Sequence, residues 1–233
     1  MAEEAPAADV APGEGEEVVE EVQLPPACLD ITEFPAKIDF FDNMVAIDEK
    51  AEKVEGANNF RQVAGFPIFG TGQCTEEGFL KVLDKVKALH AEEGSEKMLW
   101  FNMRKEPVVY INGSPFAPRN PEDLHRNLDI SFSVDELNNL EVHYANILKS
   151  QAEKELSLKT LRDVAFAENP MDRDTVEEVV KVESLDKIKG QFEIFGSLRE
   201  NGFENLGHHR IPVTEERSAG EDSFDMIVEA LKE

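Results

Sequence analysis

Cysteine is scarce in this chain. The 233 residues contain two, Cys28 and Cys74, with no Cys-x-x-Cys pair and no grouping of cysteine with histidine. That spacing offers neither a disulfide framework nor a structural zinc site. The five histidines are scattered. His208 and His209 are adjacent, so on a strand they point to opposite faces and cannot share a metal ion. No metal and no cofactor is expected. Long apolar runs are missing too, and none approaches the ~20 residues that cross a bilayer. The N-terminus is acidic and has neither a basic region nor an apolar stretch, so it does not read as a signal peptide. Basic charge is thin, with 24 Lys and Arg against 49 Asp and Glu and a formal net charge of -25. Nucleic acid and anionic membranes need clustered positive charge, so neither is an expected partner. A protein with a basic surface is easier to accommodate. The glycine-rich phosphate loops and the Gly-x-Ser-x-Gly elbow are absent as well.

What is present divides the chain in two. Residues 1–36 are rich in Ala, Glu, Pro and Gly, and carry ten acidic residues with no Lys or Arg. Such a composition buries too little surface to offset chain entropy, so it reads as a disordered acidic arm. Val18 to Val22 is its one segment suited to docking. Residues 37–233 have the patterning of a folded domain. Ile38, Phe40, Phe41, Met44, Val45 and Ile47 mark a short strand or a docking segment. Gly65, Pro67, Gly70 and Gly72 make an irregular loop with one short strand around Phe66 to Phe69. Thr75 is an N-cap, followed by Phe79, Leu83, Val86 and His90 at helical spacing and Gly94 as the stop.

Met98 to Phe116 is the most regular stretch. MLWFNM reads as a strand buried on both faces. PVVYI leads into Asn112-Gly113, the pair preferred in a type I′ hairpin turn. Asn112-Gly113-Ser114 also matches a glycosylation sequon, and the turn is the favoured reading. Ser133 to Glu136 is a capping box, with Leu137, Leu140, Tyr144, Ile147 and Leu148 as one stripe behind it, which predicts a helix over 134–155. Strands are expected near Arg162 to Ala167 and Val176 to Val182, joined by a polar turn from Asn169. A helix capped by Ser184 should bury Leu185, Ile188, Phe192 and Phe195. A strand over His208 to Val213 and a helix over Glu221 to Leu231 complete the domain; the last helix should dock through Phe224, Ile227, Val228 and Leu231. Alternating helices and strands predict an α/β sandwich around a mostly parallel sheet flanked by helices.

Four motifs occur in a specific order: Asn59-Phe60-Arg61, Pro67 to Gln73, Trp100 to Val108 (ending Arg104-Lys105-Glu106-Pro107-Val108) and His209 to Pro212. In that order, over residues 57–233, the chain resembles the paladin-like proteins of the phytase-like branch of the cysteine-dependent phosphatases. The resemblance implies part of a phosphatase-like sandwich. It also implies chemistry on a Cys-x5-Arg loop, in which a thiolate of depressed pKa attacks phosphorus and the arginine clamps the phosphoryl oxygens. Neither cysteine makes that loop: Phe34 stands six positions after Cys28, and Leu80 six after Cys74. In the family the loop follows the segment matching the last residues of this chain. The family's general acid falls at Glu215, a vestigial position without a nucleophile. Arg61, Arg104, His209 and Arg210 are the candidate phosphate-binding residues, for an inositol phosphate or a phosphopeptide, against the competing reading of structural ion pairs.

The expectation is therefore a non-catalytic, paladin-like interaction or structural protein. It would belong to a larger cytoplasmic assembly, cytoskeletal or ciliary, with a protein partner completing its sheet. The alternative is the N-terminal fragment of a longer cysteine-dependent inositol phosphate or protein phosphatase.

Overall fold

A computed structural model describes residues 29–40, 53–89, 97–128, 130–165, 173–213 and 218–232. In chain order its elements are β1 (Ala36–Ile38), β2 (Arg61–Gln62), β3 (Phe69–Gly70), α1 (Glu76–Leu89), β4 (Met98–Asn102), β5 (Val109–Ile111), β6 (Ser114–Pro118) and α2 (Val134–Ala152). After these come β7 (Ser157–Ala165), β8 (Arg173–Lys181), a 3-10 turn at Leu185–Lys187, β9 (Ile188–Gly190), α3 (Gln191–Glu200), β10 (Leu206–Arg210) and α4 (Glu221–Ala230). Most of the acidic arm lies outside the described residues, as do Phe41, Met44, Val45, Ile47, His90, Gly94 and the turn after Ala165.

Six strands form the main sheet, in the order β8-β7-β1-β6-β5-β9. Helices flank it, as expected of an α/β sandwich, but the sheet is not mostly parallel. Only β1 and β7 pair in parallel within it; the other four pairings are antiparallel. The reason is local. The turn at Asn112 (φ 50°) and Gly113 (φ 80°) has both central residues in the left-handed region, as a type I′ hairpin requires. It therefore returns β6 alongside β5, and β7 and β8 likewise pair as successive strands. Parallel neighbours need a long crossover that these short connections do not supply.

Pleating sends alternate residues of the β5 stretch into two cores. Val109 and Ile111 pack with Leu137, Leu140 and Tyr144 of α2. Val108 and Tyr110 pack with Phe79, Val82 and Leu83 of α1 and with Ile194 and Phe195 of α3. Both helices begin as their sequences dictate. The Thr75 hydroxyl accepts from Gly78 N (3.0 Å). In the capping box, Ser133 Oγ accepts from Glu136 N (3.3 Å), while Glu136 Oε2 accepts from Ser133 N (2.8 Å).

Several expectations are corrected. Packed structure starts before residue 37: Ile31 is fully buried, and Tyr144 OH donates to Phe34 O (3.0 Å). β4 is half-buried along most of its length rather than buried on both faces; among the described residues its strand partner is β10. Ser184 caps no long helix. One 3-10 turn follows it, then Ile188 joins the sheet opposite Ile111, and α3 starts only at Gln191. The buried face of α3 is accordingly Ile194, Phe195 and Leu198, and Phe192 is exposed.

The last helix does not dock through its apolar stripe. Phe224 is 59% exposed, Val228 49% and Leu231 64%; Ala230 turns inward instead. Replacing an exposed side chain costs little, so Phe224→Ala should change stability by no more than about 0.5 kcal/mol. Phe79→Ala in the buried core should cost roughly 3–5 kcal/mol. Chemical denaturation of the two variants beside the parent checks the contrast.

Candidate functional site

The candidate site lies around β10. This strand pairs in parallel with β4, placing Arg210 beside Asn102 and His208 beside Trp100. His208 and Arg210 are two apart and share a face. That face meets α2 and α3, where Arg210 finds polar partners and His208 the ring of Phe195. Arg210 Nη2 donates to Glu141 Oε2 (2.5 Å) and to Gln191 Oε1 (3.2 Å). Glu141 also accepts from the backbone of Gln191 (2.5 Å) and of Val108 (3.1 Å). Asn102 Nδ2 donates to Gln191 Oε1. Arg210, Glu141, Gln191 and Asn102 are all buried, so each polar group must find a partner inside the protein. Two of the Arg210 donors, Nε and Nη1, have none among the described residues.

His208 stacks on Phe195 with ring centroids 4.0 Å apart, and its Nε2 is buried without a hydrogen-bond partner. Burial pushes its pKa down to about 3, helped by the positive charges of Arg210 and Arg199. His209 points to the other face and stacks on Phe101 at 5.7 Å.

The four candidate phosphate-binding residues do not converge on an open cationic pocket. Arg61 lies on the β2–β3 ribbon, where its Nη1 donates to Asn59 O (2.9 Å). Arg104 ion-pairs with Asp39 (2.8 Å) and with Glu106, and Arg119 adds a longer contact to Asp39 (3.6 Å). Arg210 is held by Glu141. Glu215 lies outside the described residues. Cys74 is buried and free, and burial pushes its thiol up to about 12. A thiol that remains protonated is a poor nucleophile. Cys28 lies outside the described residues. Among the described residues no group of three or more His, Cys, Asp or Glu is placed to hold a metal ion, and no helix is long and apolar enough to cross a membrane.

Sequence reading missed Glu141, Gln191 and Asn102. For Glu141 the signal was present: it falls at i+4 within the stripe Leu137, Leu140, Tyr144, a carboxylate on an apolar face. Such a residue is buried only with a partner.

A groove of about 550 Å³ opens beside this network. One wall is β10 from His208 to Arg210, another is α2 at Val134 and Glu141, and the outer wall is α4 at Met226 and Glu229.

The family model for PTP-like phytases, described by inositol hexakisphosphate, matches residues 101–233. This chain belongs to that family. Its similarity to curated proteins falls on paladins. It is 29% identical to mouse paladin (Mus musculus) over 187 residues, covering 76% of this chain and 20% of that one. It is 26% identical to the Xenopus tropicalis protein over 176 residues, 75% and 18% of the two chains. It is 40% identical to the Danio rerio protein over 78 residues, 31% and 9%. The chain thus spans a fifth or less of the length of these relatives. Among solved structures, the tandemly repeated PTP-like phytase of Mitsuokella multacida superposes with a TM-score of 0.56 at 13% identity, covering 91% of this chain and 32% of that one. The PTP-like myo-inositol phosphatase of the same organism, in complex with myo-inositol-(1,3,4,5)-tetrakisphosphate, gives 0.55 at 15% identity, with coverage of 91% and 32%. These likenesses show a shared fold.

Two predictions follow from the buried network. Removing one partner of a buried ion pair strands the other, so Glu141→Ala should cost roughly 3–5 kcal/mol, read as a lowered denaturation midpoint. His208 binds a proton in the unfolded chain near its ordinary pKa of 6.5, but in the folded protein only near pH 3. Its contribution to stability is therefore complete above pH 6.5 and is lost progressively as pH falls toward 3. In His208→Phe that loss is absent, so melting temperatures of variant and parent should converge, or cross in favour of the variant, between pH 7 and 5. A constant difference would show that His208 does not titrate as its burial requires.

Proposed function

We propose that this chain is a non-catalytic interaction protein built on the PTP-like phytase fold, a pseudophosphatase-type component of a larger cytoplasmic or cytoskeletal assembly. The observation that carries the reading is the state of the described thiol. Cys74 is buried, protonated and followed six residues later by Leu80, so it supplies neither a thiolate nor an arginine clamp. Cys28, followed by Phe34, starts no such loop either. Arg210 supports the same reading, because its charge is spent on Glu141 rather than offered to a phosphate. The acidic groove wall and the net charge of -25 oppose an inositol phosphate as ligand. A protein partner is the natural occupant, seated against β10 so that it completes the sheet.

A second reading takes the chain as the N-terminal piece of a longer cysteine-dependent phosphatase. The observation that favours it is coverage, since the chain matches only a fifth of the mouse protein's length. The intact mass of the protein from its native source separates the two. A mass near 26.1 kDa supports the first, and a clearly larger one directs attention to a Cys-x5-Arg loop in the remainder. The purified 233-residue chain should show no turnover of a phosphomonoester or of inositol hexakisphosphate above buffer. Robust activity that disappears in Cys28→Ser or Cys74→Ser would refute the non-catalytic reading.

A further inference from the structure

In an asparagine followed by glycine the side-chain amide is especially open to attack by the next backbone nitrogen, because glycine puts no side chain in the way. The chain has two such pairs, Asn112-Gly113 and Asn201-Gly202. The fold treats them differently. Both ends of the Asn112 amide are engaged by one segment: Nδ2 donates to Lys181 O (2.7 Å) and Oδ1 accepts from Glu183 N (3.0 Å). The side chain thus grips the backbone on either side of Val182, which is buried in the core against α2. The turn itself is held too. Asn112 N donates to Lys187 O (3.0 Å), and Gly113 O accepts from Glu76 N at the start of α1 (2.8 Å).

Asn201 stands at the C-terminal end of α3 and is exposed, as is Gly202. Its Nδ2 donates to Ser197 O (2.7 Å), one turn back in the same helix. Helix ends fray more readily than the strands of a core sheet open. Ring closure on Cγ requires the side chain to leave its partners, and each hydrogen bond surrendered costs roughly fivefold in the equilibrium. Asn112 surrenders two, both to a segment anchored by the buried Val182. Asn201 surrenders the bond to Ser197, at a helix end.

We infer that Asn201 is a site of spontaneous deamidation in the folded chain, and that Asn112 is protected until the connection from β8 to β9 opens. The Gly202 nitrogen bonds to Asn201 Cγ and gives up its proton to solvent. The Cγ–Nδ2 bond breaks, and Nδ2 takes a proton and leaves as ammonia. Water then opens the cyclic imide at either carbonyl, which yields aspartate or isoaspartate; no other reactant enters. The new carboxylate lies at the negative end of the α3 dipole and lacks the donor that held Ser197 O. Isoaspartate also lengthens the backbone just ahead of Phe203, whose buried ring packs in the core between α1 and α3 and whose amide donates to Leu198 O (3.2 Å). The modification therefore loosens the end of α3. It is independent of the non-catalytic reading.

The test incubates the whole 233-residue chain at mildly alkaline pH, in buffer and in denaturing urea. Both pairs are followed by peptide mapping that separates the aspartate and isoaspartate products. In buffer Asn201 should deamidate at least about tenfold faster than Asn112. In urea the two rates should fall within about threefold of each other, since both pairs then sit in unfolded chain beside the same kind of residue. Asn201→Asp, which carries one of the products, should lower the melting temperature and speed amide hydrogen exchange at Phe203. The inference is overturned if the two pairs react at equal rates in buffer, if Asn112 reacts faster there, or if Asn201 stays intact in buffer while it reacts in urea. A melting temperature and a Phe203 exchange rate unchanged in Asn201→Asp would overturn the loosening of α3.

Discussion

One carboxylate holds the centre of the domain. Glu141 sits on the buried face of α2, where four apolar neighbours would ordinarily exclude a charge. It is tolerated because three donors converge on it: the guanidinium of Arg210, the amide that starts α3 at Gln191 and the amide of Val108 ahead of β5. A helix, a second helix's first turn, the lead into the central hairpin and the last strand are thereby tied to one group. Hydrophobic contacts fill the two cores but are not directional. The hydrogen bonds to Glu141 are directional, and they set where β10 lies relative to the main sheet.

That placement explains why the small β4–β10 sheet stands apart. Its inner face is anchored through Arg210 and through the stack of His208 on Phe195. Among the described residues β10 pairs with β4 alone. Arg210 therefore has two characters. One nitrogen bonds Glu141 and Gln191, and two others are buried without a hydrogen-bond partner among the described residues.

The distribution of charge agrees with this division. Positive side chains are few, and these are committed: Arg104 to Asp39 and Glu106, Arg210 to Glu141, and Lys37 to Asp163 at 2.7 Å. Lys37 is completed by Leu124 O and the Thr175 hydroxyl. A phosphate-binding surface needs cations with spare donors on an accessible wall. This domain spends its cations on its own carboxylates and presents acid at the rim.

Local elements were legible from sequence wherever a local rule decides them. The capping box at Ser133, the Thr75 cap and the Asn112-Gly113 turn depend on residues within a few positions of one another, and each is found in place. The ordered motifs from Asn59 to Pro212 likewise carried the family. What depends on long-range pairing was not legible. Strand direction was decided by which hairpins return on themselves, and Ile188 went into a strand rather than a helix because Ile111 offers it a ladder. The stripe on α4 looked like a core face, yet nothing in its spacing says whether another element lies opposite, and Phe224 faces outward. The identity of the site is the clearest case. Arg210 could be picked out as a cation on a motif, but its partner is 69 residues away on another helix. Only the tertiary structure, by burying both charges together, decided that the arginine holds the fold.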